Sequence, residues 1–398
     1  GLFERIGALH CDQHALGLTA EQARLLNQLH NDFVRAGARL KGADQQRYAH
    51  ATERLATLTT AFGQNVLADE TGYRLELKTE ADLAGLPEFL RAAATQAAVE
   101  RGLTGHVITL SRSLVVPFLT FSERRDLREA AWRAWTSRGE HAGVHDNRPL
   151  IREIMALRCE QARLLGYNTY ADYALDNTMA RTQPAVMGLL DNVWQRALPA
   201  VERERAELVA EMKACGVDHP LECWDWRYWA EKVKQKRFAI DDAEVKPYFA
   251  LERMVEAAFD CATRLFGVRF AARSDLPVYH PDVKAYEVRA EGGHLVGVFL
   301  HDNFARSSKR SGAWMSSLCE QSRNSGDGQA VAPVIVNNNN FSKSAPGTAP
   351  SPTATRRSAK SPPSNPVRTR RTCSSSATPI GPIWRPPLGI ISRSPPAV

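Results

Sequence analysis

A chain of 398 residues, 43% apolar and 24% charged, is long enough to bury a large core in one big domain or two. Its net charge of +7 would suit an anionic partner, but nine of the 51 Lys and Arg lie from Lys343 onward, where there is no Asp or Glu. The other 42 face all 44 acidic residues, so the body carries no global nucleic-acid signature, and no apolar run approaches the ~20 residues of a membrane helix.

Residues 1–240 read as successive amphipathic helices. Thr19-x-x-Gln22 is a capping-box start, Leu26, Leu29, Phe33 and Ala36 follow at helical spacing, and Gly37 is a stop. A helix over 45–67 places Leu55, Leu58, Phe62 and Val66 on one face. Residues 79–101 predict short helical pieces broken at Gly85 and Pro87, and the apolar run Leu114 to Leu119 is broken by Pro117. Ser122 is suited to N-cap a helix over 123–137 with a buried stripe of Leu127, Ala130, Ala131 and Trp135. Helices follow over 147–165, from Thr169 with Tyr170 and Tyr173, and from Pro184 to about Lys213 with an early face of Val186, Leu189, Leu190 and Val193. After a loop over 216–220, Trp224 to Lys236 is aromatic and then basic. Pro247 opens a helix over 248–266 that stops at Gly267.

The seven cysteines form no Cys-x-x-Cys pair, which favours reduced thiols in a cytosolic protein over a disulfide framework. The chain starts at Gly1 without a signal-peptide pattern, so either the N-terminus was trimmed or the sequence begins inside a longer protein.

Beyond Asp275 the pattern changes. Val283 to Val288 is strand-like, Glu291-Gly292-Gly293 is a turn, and His294 to Leu300 returns as a second strand, which predicts a β-hairpin. Val331 to Val336 is another short strand, closed by four asparagines. After Ser342 the last 56 residues hold 12 of the 22 prolines and no acidic group, a composition that predicts a disordered tail.

Pro277 to Val283, the run Lys309 to Met315 with its Gly-Ala-Trp-Met, and Asn337 to Phe341 resemble the M3, or thimet oligopeptidase-like, family of zinc metallopeptidases, most nearly its bacterial peptidyl-dipeptidase branch. Trp224 to Trp229 and Lys246 to Phe249 fit the same branch in the same order, so the likeness covers roughly residues 1–343. It implies a mainly α, clam-shaped fold with a helical domain over 1–240, the start of a catalytic lobe with a small β-sheet over 241–343, and an aberrant basic tail over 344–398. It further implies a monomeric cytoplasmic enzyme with one zinc that releases dipeptides from the C-termini of short peptides, without nucleic-acid or membrane partners.

Such an enzyme needs His-Glu-x-x-His on a helix, because the i, i+4 spacing turns both imidazoles to one face and the Glu polarises metal-bound water. No such motif occurs here: the last His is His301 and the last acid is Asp327. The expectation is therefore a disrupted peptidase without metal ligands and without activity. A frameshift near residue 344 accounts for the tail, since Val367 to Cys373 can be written in codons whose alternate frame reads Phe-Gly-His-Ala-Val-His-Ala. The alternative is a non-catalytic helical protein that binds peptides or RNA and carries a real basic tail, with Arg368 to Arg371 as its patch.

Five residues are candidates for a substrate groove. His280 lines it or serves as a structural partner in its loop. Gly312, Ala313 and Trp314 wall it, small residues admitting a ligand's backbone and Trp covering it, or they pack in the core. Asn337 opens the run that either offers amides to a peptide or ends a strand in solvent. His294 and His301, seven positions apart, point to opposite faces of a regular strand and make no metal pair. The Trp224 to Trp229 cluster and its following lysines suit core packing better than base stacking, and Asp241-Asp242 reads as helix-start charge. No Gly-x-Ser-x-Gly or phosphate-binding glycine loop occurs.

Overall fold

A computed structural model describes residues 1–239, 245–306, 308–309, 312–322 and 330–341. They all fall in the first of two units, Gly1–Pro350. The expected disordered tail, the patch at Arg368 to Arg371 and the Asp241-Asp242 pair lie outside the described residues.

The chain opens with helices α1 (Leu2–Cys11), α2 (Ala20–Arg35) and α3 (Gly42–Gly72). The Thr19–Gln22 capping box forms, and Gly37 after α2 takes a φ of 85° that an L side chain resists. A strand pair absent from the sequence reading follows. β1 (Leu75–Leu77) runs antiparallel to β2 (His106–Ile108), and both are too short to show a period.

Between them, a 3-10 turn at Glu80–Leu83 leads through Gly85 to α4 (Glu88–Val99). Gly85 has a φ of 79°, and a Cβ there would run into the Phe121 carbonyl oxygen. α5 (Arg112–Phe121) is continuous through Pro117, the residue that interrupts the apolar run. Val115, Phe118 and Leu119 on either side are wholly buried against α4 and β2, and that burial offsets the ~3 kcal/mol of an interior helix proline.

α6 spans Arg125–Thr136 and corrects the N-cap expectation. Ser122 closes α5 instead, with its hydroxyl accepting from the Arg124 N–H at 3.3 Å. Ala131 is buried in the expected stripe but Ala130 is exposed, and Arg128 takes a buried place. Its guanidinium donates to Asp225 Oδ1 at 2.8 Å and to the Ser122 carbonyl at 2.8 Å. Asp225 is fully buried and also receives Arg125. This triad ties α6 to the start of the helix that begins at Trp226.

α7 (Arg148–Leu164) lies along α3, and α8 (Tyr170–Leu175) starts at the Thr169 cap. α9 is a 32-residue helix, Gln183–Ala214. Its far end packs Leu208 and Met212 on Trp229 of α10 (Trp226–Phe238). Its expected early face does not pack: Leu189, Leu190 and Val193 are exposed. The aromatic cluster is core, as the packing reading has it, with Trp224 and Trp229 buried.

A 3-10 turn at Lys246–Phe249 precedes α11 (Leu251–Phe266), which ends at Gly267 with a φ of 65°. A five-stranded sheet follows, built from β3 (Val268–Ala272), β4 (Val283–Ala290), β5 (Leu295–Phe304), β6 (Trp314–Cys319) and β7 (Val334–Phe341). The order is β3-β4-β5-β7-β6, antiparallel except for the β5–β7 pair. The β4–β5 hairpin forms as expected, with Gly293 at φ 82° in its turn. The third expected strand is shifted: β7 begins at Val334 and runs through all four asparagines, because their backbone pairs with both β5 and β6.

Register sorts the sheet's side chains into two faces. One carries Ala285, Leu300 and Val336 in a small core with Leu276, and continues into Asp302 and Asn338. The other carries Phe270, Tyr286 and Phe299 beneath α11, whose Phe259 stacks on Phe270 at 4.0 Å between ring centroids.

Candidate functional site

The sheet's polar end is built around Asp302, which is wholly buried near the end of β5. The turn after the strand folds back so that Arg306 donates to both its carboxylate oxygens at 2.8 Å. Lys309 Nζ reaches Oδ1 at 2.9 Å and also donates to the carbonyls of Asp302 and Phe304. Tyr279, from the loop before β4, donates its hydroxyl to Oδ2 at 2.9 Å. In the orientation that satisfies both neighbours, the Asn338 amide donates to Oδ2 at 3.3 Å and accepts from the Trp314 indole N–H at 3.2 Å.

Burial by itself pushes the Asp302 carboxyl up, but hydrogen bonds from Arg306, Lys309 and Tyr279 hold it well below the usual carboxylate range. Burial, then the bond to Asp302, pushes Tyr279 up to about 12. Burial pulls Lys309 down against the opposing pull of Asp302. The result is a buried ionic joint, one carboxylate facing two cations, that ties Arg306 and Lys309 to the end of β5.

On the other face, His301 is buried with Asn303, Asn337 and Asn339 nearby on β5 and β7. The Asn339 amide donates to Asn303 Oδ1 at 2.9 Å, and burial lowers the His301 pKa, which keeps its imidazole neutral. The asparagine run is therefore neither a solvated end nor one row of amides. Alternation along β7 sends Asn338 and Asn340 to the Asp302 face, and Asn337 and Asn339 to the His301 face.

Three of the five groove candidates, Gly312, Ala313 and Trp314, stand at one edge, and Asn337 lies on β7, the next strand in. Gly312, at a φ of 102°, leads into β6, and its carbonyl accepts from the Asn340 amide. Ala313 and Trp314 are exposed. Met315 pairs with Asn337 across β6 and β7. His280 lies apart in the loop before β4, half-buried, where its Nδ1 accepts from the Asp282 N–H at 3.2 Å. It serves as a loop partner there.

β6 is one of the two outer strands of the described sheet, with β3 at the other side, so the backbone groups on its far side are not used by the described sheet. Its Trp314, Met315 and Leu318 side chains are exposed. Chemically this edge can accept an extended peptide as a further strand, with the aromatic and apolar side chains flanking it. Behind it, the Asp302 joint forms part of a cleft of about 130 Å³ whose opposite wall includes Glu70 of α3, Gln96 of α4 and Arg101. Glu70 is held by Arg138 and Gln96 by Glu100, so that wall is also internally paired.

Sequence reasoning missed the Asp302 joint. Its only local signal is an Asp with Arg and Lys four and seven positions later, and this reads as dispersed surface charge until the turn closes.

The zinc implied by the sequence resemblance does not fit the residues present. Among the described residues no group of three or more His, Cys, Asp or Glu could hold a metal ion, and the side-chain amides of Asn303 and Asn339 are what meet the His301 ring.

Comparison with known proteins accords with this architecture. The description Peptidase family M3 matches residues 118–352, a span running from within α5 through β7. The chain is 36% identical over 348 residues to oligopeptidase A of Escherichia coli (strain K12), covering 86% of this chain and 51% of that protein. It is 35% identical over 348 residues to dipeptidyl carboxypeptidase of Salmonella typhimurium, covering 87% and 51%. A probable thimet oligopeptidase of Arabidopsis thaliana is 26% identical over 294 residues, covering 73% and 40%. The chain thus spans about half the length of the first curated relatives it matches. With more than half of its residues inside the family match, α6 to α11 and the five-stranded sheet included, the chain belongs to peptidase family M3, a family of metallopeptidases.

Proposed function

We propose that the chain is the peptide-docking part of a zinc-dependent M3 peptidase that acts on short peptides and releases dipeptides from their carboxyl ends. In this reading a monomer in the cytoplasm takes peptides along β6, and the 398 residues on their own bind peptides without hydrolysing them. The observation that carries it is the exposed β6 edge, where Gly312, Ala313, Trp314 and Met315 stand beside the strand holding Asn337. Relatives at the same level of identity include both an oligopeptidase and a dipeptidyl carboxypeptidase, which supports short peptides as the substrate class. Among the described residues no helix is long and apolar enough to cross a membrane.

The sequence holds no His-Glu-x-x-His, and among the described residues no group of three or more His, Cys, Asp or Glu could hold a metal ion, so no hydrolytic step is assigned to them. Isothermal titration of the 398-residue chain with acetylated tetra- and pentapeptides should show binding, and Met315→Asp should weaken it at least ~10-fold, about 1.4 kcal/mol. Mass spectrometry of the same peptides after incubation with the zinc-supplemented chain should show no dipeptide. Dipeptide release by the pure chain would sink the inactivity, and undiminished binding by Met315→Asp would sink the docking edge.

A further inference from the structure

The two halves of α9 live in different surroundings. Leu208 and Met212, near its end, are buried against Trp229 of α10. Met187, Leu190, Trp194, Leu198 and Val201, in its first half, are between 48% and 64% exposed. Their spacings of three, four, four and three residues place them on one side of the helix, a strip roughly 21 Å long at 1.5 Å per residue. Leu189 and Val193 widen it and are equally exposed. Single exposed apolar side chains need no explanation, but a continuous strip of seven on one helix marks an interaction surface. Propensity does not hold such a stretch in water, since isolated helices of this length are marginal without a packed face.

The strip lies inside the span matched by the M3 family, so it belongs to the shared architecture. The relatives that align with it are about twice as long as their matched part. A comparable length of family polypeptide therefore exists outside the region these residues represent. We infer that the first half of α9 is the docking face for that remaining part of the M3 fold, presented either as further chain or as a separate polypeptide. This rests on family membership and is independent of peptide docking at β6.

The test uses hydrogen–deuterium exchange of the 183–201 segment in three preparations: the 398-residue chain, that chain mixed with the part of E. coli oligopeptidase A that lies outside the match, and a chimera in which residues 1–341 replace the matched region of that protein. Exchange across 183–201 should slow at least ~10-fold in the mixture, the chimera or both. Leu190→Asp with Leu198→Asp should abolish the slowing while circular dichroism stays unchanged. Because both positions are already exposed, these variants should fold, and Leu208, buried, is left untouched. No protection in either covered format overturns the inference. So does concentration-dependent protection in the 398-residue chain alone, which would make a second copy the occupant. Peptide binding by the Leu190→Asp, Leu198→Asp chain is measured in parallel. Its retention when protection fails leaves the β6 proposal standing, and its loss when protection holds counts against β6 alone.

Discussion

Asp302 is buried between two cations and a phenol, so its charge is what makes the other three tolerable there. Asp302→Asn keeps the shape and leaves Lys309 and Arg306 without their counter-ion. Breaking such a pair costs about 3–5 kcal/mol, and urea melts of the variant should show a loss in that range. Titration gives a second check. Tyr279 has a folded pKa raised to about 12, above the unfolded value of about 10, so its contribution is fully present below pH 10 and fades as pH rises toward 12. Asp302 has a depressed folded pKa, so its contribution is present above about pH 4 and is lost only as pH falls through a more acidic range. Stability measured from pH 9 to 12 should decline in the wild type and decline less in Tyr279→Phe. None of these four residues stood out as a site in the sequence, where Asp302, Arg306 and Lys309 read as dispersed surface charge. Asp302, Tyr279 and Lys309 come from three separate positions that only the closed sheet assembles.

At the scale of elements, caps and glycines were the legible features. The Thr19 and Thr169 boxes and the turn at Gly293 formed where side-chain chemistry placed them, since each acts over three or four residues. Ser122 was misplaced for a physical reason: a Ser suited to begin one helix also serves to end another, and the buried Arg128 engages its carbonyl. Gly85 shows how much a turn can depend on neighbours distant in sequence. Gly85→Ala must accept a positive φ and displace the Phe121 carbonyl, so it should cost more than the ~1–2 kcal/mol of the backbone conformation alone. Thermal melts of the variant check this, and a change below ~1 kcal/mol would count against the close approach. The asparagine run was misjudged as a strand's end because local propensity was outweighed by two-sided pairing in β7.

Across the whole molecule the apolar interior is divided. One cluster joins α4, α5 and β2, a second lies within the sheet, and a third locks α9 on α10. Phe118→Ala should cost about 3–5 kcal/mol and open the first cluster, whereas Leu300→Ala should cost about 2–5 kcal/mol and open the sheet. Hydrogen exchange resolved by segment distinguishes them: each variant should raise exchange mainly around its own cluster. Uniform acceleration by both would mean that the clusters unfold as one. Helical character, the hairpin, family membership and the absence of His-Glu-x-x-His were all determined by the sequence itself, because they depend on periodicity, short-range capping and residue identity. Which charges are buried, which face of α9 stands uncovered and which strand forms the edge were decided only by tertiary structure. Those properties depend on what residues far apart in the chain bring to the same place.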